Sequence, residues 1–274
     1  MARRIELVVT DLDGTLWDAS HVVHPRTRAA LDELAARSIP VLVATARRPG
    51  GARRLLADNG LQLPAVLIDG ALVRDVRWQT LHADRFATQD AAAVLAAFRA
   101  HDVEPCIGVV APDDVDARLG PHPSTHPDHI TYLTDWAIHA DLDEVVATEP
   151  VQSFVVCGAP LAQLEDVASA VASHAAVNVT WDAPYQAYTI TVRPRGVDKW
   201  RGVMAFCEHA GLDARAVLAV GDGLNDVELL ASAGVACAVE GSDERVTAHA
   251  DHLVGRPEQG GWADVLTHLG VRVG

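Results

Sequence analysis

The amino-acid sequence predicts an α/β fold: a Rossmann-like, doubly wound parallel sheet with an α+β module inserted into it. Three observations carry this. Short apolar runs alternate with helical periodicity at both ends of the chain, the pattern of βαβ units. Runs such as Val41 to Thr45 and Ala216 to Val220 are apolar almost throughout instead of alternating, as strands covered on both faces must be. Between roughly residues 80 and 192 the texture changes, and late in that block strands follow one another directly.

Taken in order, Ile5 to Thr10 reads as a strand, Pro25 to Arg37 as a helix and Val41 to Thr45 as a second strand. A helix from about Gly51 to Asp58 stops at Gly60, a C-cap candidate, and Val66 to Ile68 makes a third strand. The insert opens with a helix from Asp90 to Ala100 and a Pro- and His-rich loop. It continues with a strand at Phe154 to Cys157, a helix from Leu161 to Ser173, and strands at Val177 to Trp181 and Tyr188 to Val192, the last two read as antiparallel. The closing portion repeats the opening logic: helix Val197 to His209, strand Ala216 to Val220, helix Asp226 to Ala233, strand Val235 to Val239, then short elements at His252 to Val254 and Trp262 to Leu269. The core is therefore assigned to residues 1–80 and 193–274, and the insert to 81–192.

Composition narrows the function classes. The 274 residues are 49% hydrophobic and 22% charged, ordinary for a folded chain. A formal charge of −15 argues against nucleic acid or an anionic membrane as partner, because both demand basic surface. Arg3 and Arg4 precede an apolar run that ends at Asp11, too early for a signal peptide, and no stretch is long enough to span a bilayer. The expected location is cytoplasmic. Cys106, Cys157, Cys207 and Cys237 form no Cys-x-x-Cys pair and read as buried, reduced thiols.

The segment Asp11-Leu12-Asp13-Gly14-Thr15-Leu16 delivers two carboxylates to the end of the first strand, where open α/β sheets bind ligands. Alone, Asp-x-Asp-Gly is equally a turn. A calcium loop is excluded, since its twelfth position, counted from Asp11, is Val22 and not a bidentate Glu. Three further segments sit at strand ends. Thr45-Ala46-Arg47 follows the second strand, Asp198-Lys199 opens a helix, and Gly221-Asp222-Gly223-Leu224-Asn225-Asp226 follows the strand ending at Val220. Each has a plain structural reading: Thr45 as a helix cap, Arg47 and Lys199 as surface cations, the last segment as a solvated acidic loop.

Together, in this order and at these strand ends, the four segments resemble the haloacid dehalogenase superfamily of phosphohydrolases, and the long insert resembles the large α/β cap of its Cof-type branch. The resemblance implies that Asp11 is a nucleophile forming an aspartyl-phosphate, and that Asp13 protonates the leaving oxygen and then activates water. It implies Mg²⁺ held by Asp11, the backbone carbonyl of Asp13 and Asp222, with Asp226 and Asn225 as additional or outer ligands. Thr45 would donate to a phosphoryl oxygen and Lys199 would neutralise charge. Gly14, Ala46 and Arg47 would line the phosphate site. The chain departs from the family pattern at Ala46, where Gly is common, at Asp69, where Asn is common, and at Trp200, where a small residue is common. These bear on substrate identity, since no catalytic group is lost.

The function so implied is a Mg²⁺-dependent phosphatase of a small phosphorylated metabolite, a sugar phosphate or similar monoester, with the cap closing over the crevice to exclude water and select substrate. Rival readings are a mannosyl-3-phosphoglycerate, trehalose-phosphate or sucrose-phosphate type phosphatase, a phosphomutase, and a binding module that kept the fold without turnover. A homodimer is left open. In the insert, the histidines between Pro121 and His129 read as a solvated loop and not a second metal site, and Phe154, Trp181, Tyr185 and Tyr188 read as core.

Overall fold

A computed structural model describes residues 4–111, 113–182 and 185–270; Arg3 lies outside the described residues. The chain divides into two compact units, Met1–His82 with Asp198–Gly274, and Ala83–Val197.

The first unit opens with β1 (Leu7–Thr10), α1 (Pro25–Ala36), β2 (Val41–Ala44), α2 (Pro49–Asp58), β3 (Ala65–Leu67), β4 (Leu72–Arg74) and β5 (Thr80–Ala83). In the second unit follow α3 (Thr88–Ala100), β6 (Cys106–Val109), β7 (Ala117–Leu119), α4 (Pro127–Leu133), β8 (Ala137–His139), α5 (Leu142–Thr148), β9 (Val151–Cys157), α6 (Leu161–Val171), β10 (Ala175–Asp182) and β11 (Ala187–Pro194). The chain then returns to the first unit as α7 (Lys199–Ala210), β12 (Val217–Gly221), α8 (Val227–Ser232), β13 (Val235–Val239), α9 (Glu244–Thr247), β14 (His252–Val254) and α10 (Val265–His268).

The core sheet runs β14-β13-β12-β1-β2-β3-β4-β5. From β14 to β3 every pairing is parallel, so the expected doubly wound sheet is present, and β4 then turns back antiparallel on β3. The apolar run predicts that the third strand continues through Ile68. Instead Ile68 and Asp69 adopt positive φ, 51° and 48°, and reverse the chain. The winding direction switches between β1 and β12, which pair in register from Leu7↔Val217 to Thr10↔Val220. Residues just past these two strands therefore flank the crevice where such sheets bind ligands. Leu7, Val9, Leu42, Val66, Val217 and Ala219 pack with α7 residues Val203 and Phe206 into one core cluster, which holds the strand ends rigid. Trp200 packs against that cluster.

The second unit is a sheet of order β10-β11-β9-β6-β7-β8 with α3, α5 and α6 packed on one face around Phe98, Phe154 and Val167. β10 and β11 pair antiparallel, as expected. Two readings of this unit are corrected. The last three residues of the His-rich stretch open α4, His126 caps that helix by accepting from the Asp128 N–H, and His129 is buried beside the Thr125 hydroxyl at 2.8 Å. Trp181 is exposed and packs edge-on to Tyr188, with ring centroids 5.1 Å apart, whereas Phe154 sits in the core, Tyr188 packs against it, and half-buried Tyr185 lies against His126 and His129. All four cysteines are buried and none forms a disulfide. Among the described residues, no helix is long and apolar enough to cross a membrane.

Candidate active site

β1 ends at Thr10, and the turn after it is unusually tight. The Leu12 carbonyl accepts from the amides of Thr15, Leu16 and Trp17, and the Gly14 amide returns to the Trp17 carbonyl. This closure lets Asp11 and Asp13 leave one strand end together. Gly14 is demanded twice over: its φ is +83°, and a Cβ there would lie 2.4 Å from Asp222 Oδ2.

Lys199 is the first residue of α7, behind the N-cap Asp198, whose side chain accepts from the Arg201 amide. A cation at a helix N-terminus opposes the helix dipole, so its placement needs another cause. The cause is a pair of carboxylates: fully buried, its Nζ donates to Asp11 Oδ1 at 2.7 Å and to Asp226 Oδ1 at 2.6 Å. Gly70 allows this approach, because a Cβ there would meet the Asp198 carbonyl oxygen at 1.8 Å. The reading of Lys199 as a surface lysine is thereby overturned.

After β12, Asp222 receives the Thr15 hydroxyl on Oδ1 at 2.6 Å. Asp226 is buried, and its Oδ2 accepts from the amides of Asp222 at 3.1 Å and Gly223 at 2.9 Å. Asp226 thus ties the Asp222 loop to Lys199. Carboxylate oxygens of Asp11, Asp222 and Asp226 lie within 4.8 Å of one another. Lys199 is one ammonium for these three carboxylates, and hard oxygen donors in negative excess fit a divalent cation. One oxygen of Asp11 is engaged by Lys199 and one of Asp222 by Thr15, which leaves Oδ2 of each to such an ion.

Electrostatics follow from this crowding. Burial pushes the Asp11 carboxyl well above its ordinary range; Lys199 pulls it down, and Asp226, Asp222 and Asp13 raise it again. For Lys199, burial acts downward, but Asp11, Asp226 and Asp69 outweigh it and hold the ammonium charged. Asp222 is pushed up to about 6, first by burial and then by Asp226 and Asp13, against the Thr15 hydrogen bond and Lys199.

Asp13 behaves differently. Burial acts to raise its carboxyl, but Arg47, Trp17 and His21 outweigh it and hold it below its ordinary value. Arg47 grips both oxygens, Nε to Oδ2 at 2.6 Å and Nη2 to Oδ1 at 2.7 Å, and Trp17 Nε1 donates to Oδ1 at 3.0 Å. Arg47 therefore pairs with Asp13 and is no ordinary surface arginine. Neither Trp17 nor His21 was singled out from the sequence. The signal available for Trp17 was that a buried indole N–H needs an acceptor.

Of the remaining candidates, Thr45 is buried at the end of β2 with its Oγ1 accepting from the Arg47 amide at 3.2 Å, and Ala46 is exposed beside it. The Asn225 amide donates to Asp69 Oδ1 at 2.8 Å, so Asp69 anchors that loop. All these residues follow the carboxyl ends of β1, β2, β3 and β12 or open α7.

A family model described as haloacid dehalogenase-like hydrolase matches residues 8–266. The chain belongs to that family. Among curated relatives of this hydrolase, the HMP-PP phosphatase of Serratia proteamaculans is 29% identical over 83% of this chain and 81% of its own length. The phosphoglycolate phosphatase of Methanopyrus kandleri is 26% identical over 96% of each. An Arabidopsis thaliana relative named as a chloroplastic YBEY endoribonuclease is 25% identical, but this chain spans 46% of its length. In fold, the hydrolase superposes on a haloacid dehalogenase subclass IIB sugar phosphatase with a TM-score of 0.76, at 20% identity and covering 97% of this chain and 99% of the other. That likeness shows a shared fold along nearly the whole of both chains.

Two consequences are measurable. Gly14→Ala forces a side chain into left-handed backbone, at about 1–2 kcal/mol, and drives its methyl into Asp222. The expected result is a modestly lower melting temperature and, for a divalent cation that stabilises the unsubstituted protein, near-complete loss of that stabilisation; unchanged stabilisation would show that Asp222 is not a ligand. The second concerns pH. Because the folded-state pKa of Asp222 is raised to about 6, its contribution to metal-free stability is present in acid and is lost as pH rises through that value. A cation needs the ionised form, so its effect runs the other way. Any rise in melting temperature on adding a divalent cation should be small near pH 5 and large near pH 7.5, and a rise independent of pH would contradict the assignment.

Proposed function

We propose that this hydrolase is a Mg²⁺-dependent phosphatase of small phosphorylated metabolites, a sugar phosphate or similar monoester, working through an aspartyl-phosphate on Asp11. The observation that carries it is the buried Lys199 bridging Asp11 and Asp226 within reach of Asp222. An ammonium so placed opposes the rise that burial imposes on the Asp11 carboxyl, favouring the ionised form a nucleophile needs, and adds positive charge where phosphoryl oxygens would gather. The relatives named as phosphatases support the same reaction class.

Asp11, Asp222 and the Asp13 carbonyl would hold the metal. Bound there, it would neutralise phosphoryl oxygen charge. Asp226, with both oxygens already engaged, would act from the outer sphere by fixing Lys199 and the Asp222 loop. Thr45 would donate its hydroxyl to the phosphoryl group. Asp13 would give a proton to the leaving oxygen and then take one from water, which requires Arg47 to exchange its carboxylate for the anionic substrate. The residues 81–192 would act as the cap that selects substrate.

The test is phosphate release across a broad panel of phosphomonoesters, with Mg²⁺ and with a chelator. Mg²⁺-dependent release is expected. A folded protein that releases none would sink the proposal, and an isomerised sugar phosphate in place of free phosphate would mark a phosphomutase.

A further inference from the structure

The carboxylate of Asp13 is held asymmetrically. Its Oδ1 accepts from Trp17 Nε1 at 3.0 Å and Arg47 Nη2 at 2.7 Å and lies 3.5 Å from His21 Nε2, whereas its Oδ2 accepts from Arg47 Nε at 2.6 Å. The two holders differ in freedom. The Arg47 side chain is long, unbranched and 21% exposed, and a phosphoryl group offers its fork the same oxygen geometry as a carboxylate. Trp17 is 0% exposed and is sewn into the same turn as Asp13: its amide donates to the Leu12 carbonyl at 3.1 Å, and its carbonyl accepts from the Gly14 amide at 2.9 Å. Fully buried, the indole cannot turn away without opening a void in the packing around it. A leucine or phenylalanine would bury comparable apolar surface there and offer no N–H.

We propose that Trp17 is a positioning residue for Asp13: its indole N–H keeps Oδ1 occupied as an acceptor and so assigns Oδ2 as the oxygen that carries the proton once Arg47 has turned to the substrate. This rests on the phosphatase reading above. In the first step an Asp11 carboxylate oxygen bonds to phosphorus as the ester P–O bond breaks, and the Oδ2 proton passes to the leaving oxygen, which departs as an alcohol. In the second, water bonds to phosphorus as the Asp11 acyl phosphate breaks, and the water's proton returns to Oδ2. Trp17 touches no reacting atom. It removes the rotation of Asp13 that would point the wrong oxygen at the leaving group, and misplacement of that kind is costly because proton transfer demands hydrogen-bond reach.

The test compares two esters that differ in their need for an acid. p-Nitrophenolate leaves without a proton, whereas an alkoxide does not. In Trp17→Phe, kcat/KM, which reports only the first step and not the dephosphorylation common to both esters, should fall at least about tenfold for the alkyl phosphate turned over fastest in the panel and stay within about twofold for p-nitrophenyl phosphate. Replacing Trp17 by benzothienylalanine, which keeps the bicyclic shape and removes only the N–H, should reproduce this selective loss even where the phenylalanine variant folds poorly. Equal losses on both esters, or none on either, in the benzothienyl protein would overturn the proposal. If the unsubstituted protein turned over neither ester nor any other in the panel, the phosphatase reading itself would fall and this assignment with it.

Discussion

Asp11→Asn is expected to cut turnover by at least about 10³- to 10⁴-fold while leaving the protein folded and no less stable at neutral pH. The carboxamide has nearly the shape of the carboxylate, so the turn that ends β1 is undisturbed. Its Oδ1 still accepts from Lys199, which also keeps Asp226 as a full ionic partner at 2.6 Å. What disappears is the nucleophilic oxygen and one of the charges crowding the site. Burial raises the Asp11 carboxyl well above its ordinary range, and Asp226 and Asp222 add to the rise. Removing that charge relieves repulsion, so the melting temperature without metal should hold or increase. Turnover by progress curves and unfolding by calorimetry check the two halves. A variant with unimpaired turnover would exclude Asp11 as nucleophile, and a wild-type protein with no turnover to lose would favour the binding-module reading.

The most legible acids and the hydroxyl of this site lie just past the ends of strands buried on both faces, whereas Lys199, which opens α7, was legible only together with them. Such strands read as unbroken apolar runs, so the polar residue that stops them is conspicuous, as Asp11, Thr45 and Asp222 are. The antiparallel extension β4, with Arg74 inside three residues, and the short β6, β7 and β8 of the second unit have neither the length nor the pattern to stand out. Helices α4 and α5, each seven residues long, are too short to show periodicity. The pairing of Arg47 with Asp13 spans 34 positions, and no local rule links them. Trp17 hid for the opposite reason: a tryptophan at the end of an apolar run is adequately explained as core, and it is core, yet its one polar atom points at the site.

Lys199→Met should be the most damaging single change to stability. Methionine keeps most of the apolar stem but removes the cation that pairs with Asp11 and Asp226, both buried. Losing one partner of a buried pair typically costs about 3–5 kcal/mol, because the remaining charge stays desolvated. Lys199→Arg is not a conservative rescue, since a planar fork replaces a compact ammonium that sits 2.7 and 2.6 Å from two carboxylates. The signature is in the pH dependence. Asp11 already has a raised folded-state pKa, and without Lys199 it rises further, so the folded variant binds protons that the unfolded chain does not. Stability in Lys199→Met should therefore increase as pH falls from neutrality toward the ordinary carboxylate range. Adding Asp226→Asn should recover part of the loss, because it removes one of the stranded charges. Denaturant unfolding at several pH values measures all of this. A variant as stable as wild type at neutral pH would mean that the two carboxylates are protonated or hydrated in solution, and that Lys199 does not set the charge of the nucleophile.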